Sequence, residues 1–308
     1  MHKAAIIGSN GFIGRHLTEV LMQRSDVDLF LFGKNEISYF GDALPYTQLD
    51  LLDKNQVKEH FAGIPVIYYL ASETIPATSW ENPLLEIEKN LRTFIHFMQA
   101  VSTLNVKKVV FVSSAGTVYG PSKEAVKEDA VTNPFSPYGI IKLTMEHFLN
   151  YFRERSNIHF DIFRVSNVYG DGQNTSKGLG IINTFLEKII SEKQITIFGN
   201  GESVRNYIYV KDVAKLLSFS LDSDLSGSNI YNLSSDDTLS INSLITLMQK
   251  IVPEKFEILY KESRQSDNPA IHPDNSKILR KFPQFKFTGL EEGITKTYQH
   301  IRKSTLPI

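Results

Sequence analysis

Short apolar runs of strand length alternate with segments of helical period through the first half of the chain. That rhythm commits a chain to parallel β-α-β units more firmly than any other feature of it. Residues 4–7, 29–32, 66–70, 109–113 and 160–165 are nearly continuous apolar runs, as strands covered on both faces require. Between them, Ile13, Leu17, Val20 and Leu21 fall at helical spacing. Across 84–104 so do Leu84, Ile87, Leu91, Ile95, Met98 and Val101, with Pro83 at the start, where a helix tolerates it. The expected fold class is α/β, a doubly wound parallel sheet.

Beyond Asn167 the pattern loosens. Residues 171–180 are rich in Gly, Asn, Ser and Thr and read as a loop over a site. Helices are expected over 181–191, 213–220 and 241–252, and strands over 195–198, 208–210 and 230–233. No internal repeat or clean linker separates the halves. A dinucleotide-binding domain over 1–167, rejoined by about 205–233, is expected to carry a smaller C-terminal substrate-binding lobe made of 168–204 and 234–308.

With 308 residues, 42% of them hydrophobic, the chain can bury a large core. Its 33 basic and 34 acidic side chains leave a net charge of -1, so neither nucleic acid nor an anionic membrane is an expected partner. Any bound anion must be held locally. The absence of cysteine excludes disulfides, zinc-thiolate sites and cysteine nucleophiles. No two histidines lie three or four apart, so no helical metal site is expected. Met1-His2-Lys3 runs at once into a short apolar stretch unlike a signal peptide, and no run approaches the roughly 20 apolar residues of a membrane span. A cytoplasmic location is the expectation.

Gly8-Ser9-Asn10-Gly11-Phe12-Ile13-Gly14 follows a strand and opens a helix, the context a dinucleotide fingerprint requires. Glycines let the backbone turn sharply and approach a pyrophosphate, whose charge then meets helix N-terminal N–H groups. A tight strand-to-helix turn alone would also explain them. Gly8, Asn10, Gly11, Phe12, Ile13 and Gly14 are the candidate contacts. The second strand ends in Gly33-Lys34-Asn35 rather than in the carboxylate that holds a free adenine ribose, so Lys34 suits a 2′-phosphate and points to NADP. A solvated loop lysine is the competing explanation. Asp50 and Leu51 end a third strand candidate, where a carboxylate could accept from the adenine amino group. Leu70, Ala71 and Ser72, at the end of the fourth, complete the expected cofactor set.

Tyr138 and Lys142 stand at i and i+4, on one face of a helix that follows Pro137. A phenol works as a base near neutrality only if its pKa falls by roughly 3 units, about 4 kcal/mol of differential stabilisation, which an ammonium and an oxidised nicotinamide could supply. A Tyr/Lys pair also arises on helix surfaces by chance. Upstream, Ser113-Ser114-Ala115-Gly116-Thr117-Val118-Tyr119-Gly120 places hydroxyls at the carboxyl end of a strand, the edge at which open α/β sheets bind ligands.

The glycine loop, this hydroxyl segment, Tyr138-xxx-Lys142, Arg164-Val165-Ser166-Asn167-Val168-Tyr169-Gly170 and Arg205-Asn206-Tyr207-Ile208-Tyr209-Val210-Lys211-Asp212 occur in one order. In that order and spacing the sequence resembles the extended short-chain dehydrogenase/reductases over essentially its whole length. Among them it looks most like nucleotide-sugar 4-epimerases and the related 4,6-dehydratases and 4-ketoreductases. The resemblance implies a Rossmann-type sheet, NAD or NADP as cofactor, and a nucleoside-diphosphate sugar as substrate. It makes Tyr138 the acid/base and Lys142 the holder of the nicotinamide ribose.

The commonest family pattern puts Ser or Thr where this chain has Ala115, so Ser114 is the expected hydroxyl on the sugar O4, with Thr117 as the reserve. Dehydratases of the family carry Glu where Thr117 stands, which disfavours dehydration. Reversible epimerisation at C4 through a 4-keto intermediate is the expected activity. Reduction of a 4-keto-6-deoxy sugar by NADPH is the alternative, favoured by Gly33-Lys34. A silent dinucleotide sensor is a third reading, opposed by the intact Tyr138 and Lys142. The resemblance also assigns Asn167, Arg205 and Arg264 to the diphosphate, where arginine forks match phosphate oxygens. A homodimer is expected through the two long helices, because Ile87, Phe94, Phe97, Ile141, Met145 and Phe148 spread over more than one face.

Overall fold

The computed structural model describes residues 1–122, 124–176, 178–262 and 271–305. By its contacts the chain falls into two units, one of Met1–Val118, Pro134–Arg164 and Ala214–Tyr231, the other of Tyr119–Asn133, Val165–Val213 and Asn232–Ile308. Residues 119–133 therefore group with the second unit, and the returning segment begins at Ala214, later than the sequence suggests.

The first unit is built on a seven-stranded sheet. From one edge its order is Asn229–Leu233, His159–Val165, Lys108–Ser114, Val66–Tyr69, His2–Ile7, Val27–Gly33 and Tyr46–Gln48. The pairs from Lys108–Ser114 to Tyr46–Gln48 are all parallel. This is the doubly wound arrangement of a Rossmann-type sheet, and its order reverses between His2–Ile7 and Val66–Tyr69. Ala4–Ile7 and Val66–Tyr69 are buried on both faces, which is why their sequence shows no alternation.

The core joins Phe32, Phe61, Tyr69, Phe94, Phe97 and Phe111 with aliphatic residues of the Pro137–Ser156 helix. Phe94, Phe97, Ile141 and Met145 all lie in this core, so these four are not a second apolar face left over for a partner. One ion pair is wholly enclosed: Lys108 Nζ lies 3.1 Å from Asp161 Oδ2 and donates to Ser223 Oγ and the Asp224 carbonyl.

The segment expected as one helix over 84–104 is three pieces, Pro83–Leu85, a π-helical turn Glu86–Leu91, and Arg92–Val101. Each extra residue in a π turn rotates the face that follows. Here Leu84 and Ile87 are exposed while Glu86 and Asn90 are buried, the reverse of what a continuous apolar stripe implies.

The second unit holds a three-stranded sheet, Thr238–Ser240, Val204–Tyr209 and Asn167–Tyr169, and the parallel pair Gln194–Phe198 with Glu257–Lys261. No helix among the described residues is long and apolar enough to cross a membrane.

Candidate active site

The glycine loop sits where the sheet order reverses. Gly8 has φ +86°, open to glycine at little cost, and a Cβ there would come within 3.0 Å of the Ala71 backbone nitrogen. Gly8, Leu70 and Ala71 are thus in contact. A Cβ on Gly14 would lie 2.2 Å from the Gly8 carbonyl, so only glycine lets the helix Phe12–Leu21 approach the strand this closely. That helix has Gly11 at its N-cap and no side-chain cap. Its first N–H groups, including those of Phe12 and Ile13, have no intrahelical acceptor and suit the oxygens of a pyrophosphate. The donor set fits a dinucleotide.

Other expected cofactor residues are engaged differently. The Asn10 amide donates to the Ile37 carbonyl (2.8 Å) and its oxygen accepts from the Tyr39 N–H (2.8 Å), so this side chain pins the 37–39 loop. Lys34 is paired with Glu73, 3.1 Å away, instead of standing free. A Cβ on Gly33 would come within 2.7 Å of the Tyr46 hydroxyl, which itself donates to the Asn35 carbonyl; a carboxylate at position 33 has no room while Tyr46 stays. The third strand ends at Gln48, short of Asp50, which is exposed and accepts from the Leu52 N–H; Leu51 packs on the core.

Ser136 caps the helix Pro137–Ser156, accepting from the Gly139 N–H, and Pro137 supplies the preset first turn. One turn in, Tyr138 is half-buried and lies near Ser72, an expected cofactor residue whose hydroxyl donates to the Thr74 carbonyl at 3.2 Å. Burial first, then the charge of Glu86, push the Tyr138 phenol well above its ordinary value, and the nearby Ser72 hydroxyl opposes them. Lys142 is buried, and its ammonium donates to the Val112 carbonyl at 3.1 Å and lies 4.9 Å from the centre of the Phe111 ring. Burial pushes the Lys142 ammonium down to about 8 against the opposing pull of Glu86 and Glu146.

The strand-end hydroxyls divide by partner. Ser113 is taken by Glu146, and Thr117 is buried with its hydroxyl 3.4 Å from the Ser114 carbonyl. Ser114 is half-buried and its hydroxyl makes no hydrogen bond among the described residues. Gly139 lies against this segment so tightly that a Cβ there would sit 2.4 Å from the Thr117 carbonyl oxygen.

Four neighbours of the pair have no counterpart in the sequence reading. Glu86, Asn90 and Thr74 form a buried chain, Glu86 Oε2 accepting from Asn90 Nδ2 (2.9 Å), which also donates to Thr74 Oγ1 (2.6 Å). Glu146 holds Arg164 at 2.7 Å, making Arg164 an internal ion-pair partner. The signal for Glu146 was its place four residues after Lys142. Glu86 and Asn90 carried none, because the π turn reverses the face.

In the second unit, Asn167 donates to the Asn206 carbonyl at 2.8 Å and is exposed, while Arg205 Nη1 donates to the Val204 carbonyl at 2.8 Å. Their strands pair in parallel, with Asn167 opposite Tyr207. Arg264 lies outside the described residues.

A model of the NAD dependent epimerase/dehydratase family matches residues 4–234. The chain is 29% identical over 308 residues to a putative UDP-glucose 4-epimerase of Methanocaldococcus jannaschii, covering 97% of this chain and 98% of the other. It is 28% identical over 312 residues to an Escherichia coli dTDP-4-dehydro-6-deoxyglucose reductase, covering 96% of each. The solved UDP-glucose 4-epimerase of Thermus thermophilus in complex with NAD superposes with a TM-score of 0.90 at 25% identity, over 98% of this chain and all of that one. Since the family match spans the glycine loop as well as the Tyr138–Lys142 pair, the chain belongs to the NAD dependent epimerase/dehydratase family.

Proposed function

We propose that the protein is a nucleotide-sugar 4-epimerase, moving a hydride reversibly between C4 of a nucleoside-diphosphate hexose and NAD. The observation that carries this reading is the pair of half-buried Tyr138 and buried Lys142, with Ser114 as the one strand-end hydroxyl left without a hydrogen-bond partner among the described residues. In it Tyr138 exchanges the O4 proton, Ser114 hydrogen-bonds O4, and Lys142 supplies the cation that steadies the phenolate. Bound at the glycine loop, NAD supplies the hydride acceptor, and its positive charge opposes the high proton affinity that burial gives Tyr138. Asn167, Arg205 and Arg264 are proposed for the diphosphate, as the sequence resemblance implies. Incubation with UDP-glucose without added reductant tests the reading: a new sugar with equatorial H4 (axial O4) in the proton spectrum supports it.

Reduction of a 4-keto-6-deoxy sugar is the second reading. It is favoured by the raised proton affinity of Tyr138, which the uncharged reduced nicotinamide ring of NADPH would leave intact and which suits a proton donor. Consumption of NADPH, followed at its absorbance with a dTDP-4-keto-6-deoxy sugar, would overturn the first reading if no epimerisation accompanied it.

Lys34 discriminates between them. Its partner Glu73 would repel a 2′-phosphate, and an exposed ion pair of this kind is worth only about 0–1 kcal/mol. NAD(H) is therefore expected to bind at least as tightly as NADP(H), with Lys34→Ala altering either by less than about threefold. Glu73→Gln should strengthen NADP(H) alone. A tenfold loss of NADP(H) affinity in Lys34→Ala, measured by fluorescence titration, would return Lys34 to the phosphate.

A homodimer completes the proposal. The π-helical turn packs against the Pro137–Ser156 helix, and these neighbours leave Leu84, Ile87, Ile140 and Tyr151 exposed with Phe148 half-buried. Several large apolar side chains left exposed on two packed elements are what an interface would cover. Light scattering at micromolar concentration should give twice the chain mass, and Ile140→Glu with Tyr151→Glu should halve it.

A further inference from the structure

Lys142 is a buried cation whose hydrogen-bond acceptor among the described residues is one carbonyl, Val112. A buried charge needs a counter-charge, or it is lost by deprotonation. Two carboxylates act on it, Glu146 from its own helix and Glu86 from the π-helical turn packed against that helix. Glu146 is committed: Arg164 Nη2 lies at 2.7 Å, Arg164 Nε at 3.2 Å from both oxygens, and the Ser113 hydroxyl donates as well. Its charge is already balanced by a guanidinium.

Glu86 is not balanced. It is 1% exposed, Oε2 accepts only from the neutral Asn90 amide, and Oε1 has no hydrogen-bond partner among the described residues. A carboxylate held so far from water and from donors would itself be costly unless a cation shared its field. Asn90 and Thr74 fix its position, Asn90 also accepting from the Glu73 N–H, and the π turn turns it inward.

We propose that Glu86 is the counter-charge of Lys142, a positioning residue that keeps the lysine an ammonium beside Tyr138. This rests on reading Tyr138 and Lys142 as the reacting pair. The groups that share this field are Tyr138, Lys142 and Glu146 from the helix Pro137–Ser156, Arg164 from its strand through Glu146, and Glu73 at the backbone of the preceding loop. Because Glu86 raises the proton affinity of both Lys142 and Tyr138, it trades an easier phenolate for a lysine that holds its proton to higher pH. It thereby keeps Tyr138 a proton donor until a ligand charge arrives.

The test is a double-mutant cycle read by thermal melting of the whole chain, made with Glu86→Gln, Lys142→Met and the double variant. Burial lowers Lys142 from 10.5 to about 8 in the folded protein, so the cost of burying its charge is full below about pH 8 and fades between there and 10.5. Removing Glu86 deepens that burden. The melting temperature of Glu86→Gln should therefore fall below wild type at pH 6–7, and the gap should close as the pH passes upward through about 8. Glu86→Asp should show a smaller gap with the same pH course.

In the Lys142→Met background Glu86→Gln should cost nothing or stabilise. A gap independent of pH, or the same cost with and without Lys142, would make Glu86 a packing residue and overturn the proposal. If Glu86→Gln alone does not fold, recovery of folding in the double variant supports it and failure of both overturns it.

With turnover established, the alkaline limb of kcat/KM should move down by about one pH unit or more in Glu86→Gln and stay in place in Glu86→Asp. Should Tyr138→Phe instead keep full activity, the reading of the pair fails, while the melting cycle still decides the counter-charge.

Discussion

Tyr138→Phe is expected to lower turnover by about two orders of magnitude or more while leaving NAD(H) affinity within about twofold. Only the transferable proton is removed. The ring keeps its place, and the Tyr138 hydroxyl makes no hydrogen bond among the described residues, so the fold has little to adjust. Ser114→Ala should cost less, since it removes a hydrogen bond and not the proton carrier, and Thr117→Val least, because that hydroxyl faces the Ser114 carbonyl inside the turn. Initial rates and cofactor titration on the same preparations decide the order. If Thr117→Val proved more damaging than Ser114→Ala, the hydroxyl assignment would be wrong, and if Tyr138→Phe stayed within tenfold of wild type the reaction would not run through that phenol.

The second large effect is on stability. Glu146→Ala should destabilise the protein by about 3–5 kcal/mol, because it strands the buried Arg164 guanidinium without its carboxylate. The two groups are 2% and 4% exposed, so water cannot take the place of the missing partner. Ser113 loses its acceptor at the same time. Removing both charges with Glu146→Leu and Arg164→Leu should be far milder than either change alone, since two matched apolar groups leave nothing unpaired. Urea unfolding of the four proteins measures this. A cost below about 1 kcal/mol for Glu146→Ala would mean that the guanidinium finds another partner.

The sheet was readable because burial on both faces leaves continuous apolar runs. Each of the five leading runs lies in a strand with ends shifted by one or two residues, as in Ala4–Ile7 within His2–Ile7. The third strand was legible, but its end reads from the sequence as Asp50 and Leu51, past Gln48, because a three-residue edge strand is too short for any period. The glycine loop was legible because glycine is the residue that a positive φ and a carbonyl 2.2 Å from a would-be Cβ demand.

What escaped the sequence was the polar inner layer. Leu84, Ile87 and Leu91 keep a helical period straight through the π turn, and the period says nothing about which face turns in. Glu86 and Asn90 are therefore invisible as buried residues. The partner of Lys34 escaped the sequence for a related reason: a loop lysine gives no hint that Glu73, far along the chain, will stand 3.1 Å from it.

The contact between Gly139 and the Thr117 carbonyl has a consequence for how such an enzyme could change its substrate. On the proposed reading, the segments that carry the proton donor and the strand-end hydroxyl meet backbone to backbone at Gly139 and Thr117, so the separation of their main chains is fixed whatever rotamers the side chains adopt. A bulkier sugar cannot be accepted by letting the two drift apart. Any side chain at 139 would wedge them open and spoil both. The reacting end is thus a gauge of fixed width, able to measure one carbon and its oxygen and indifferent to the rest of the ligand. On that reading, diversity of sugars is written elsewhere in the chain.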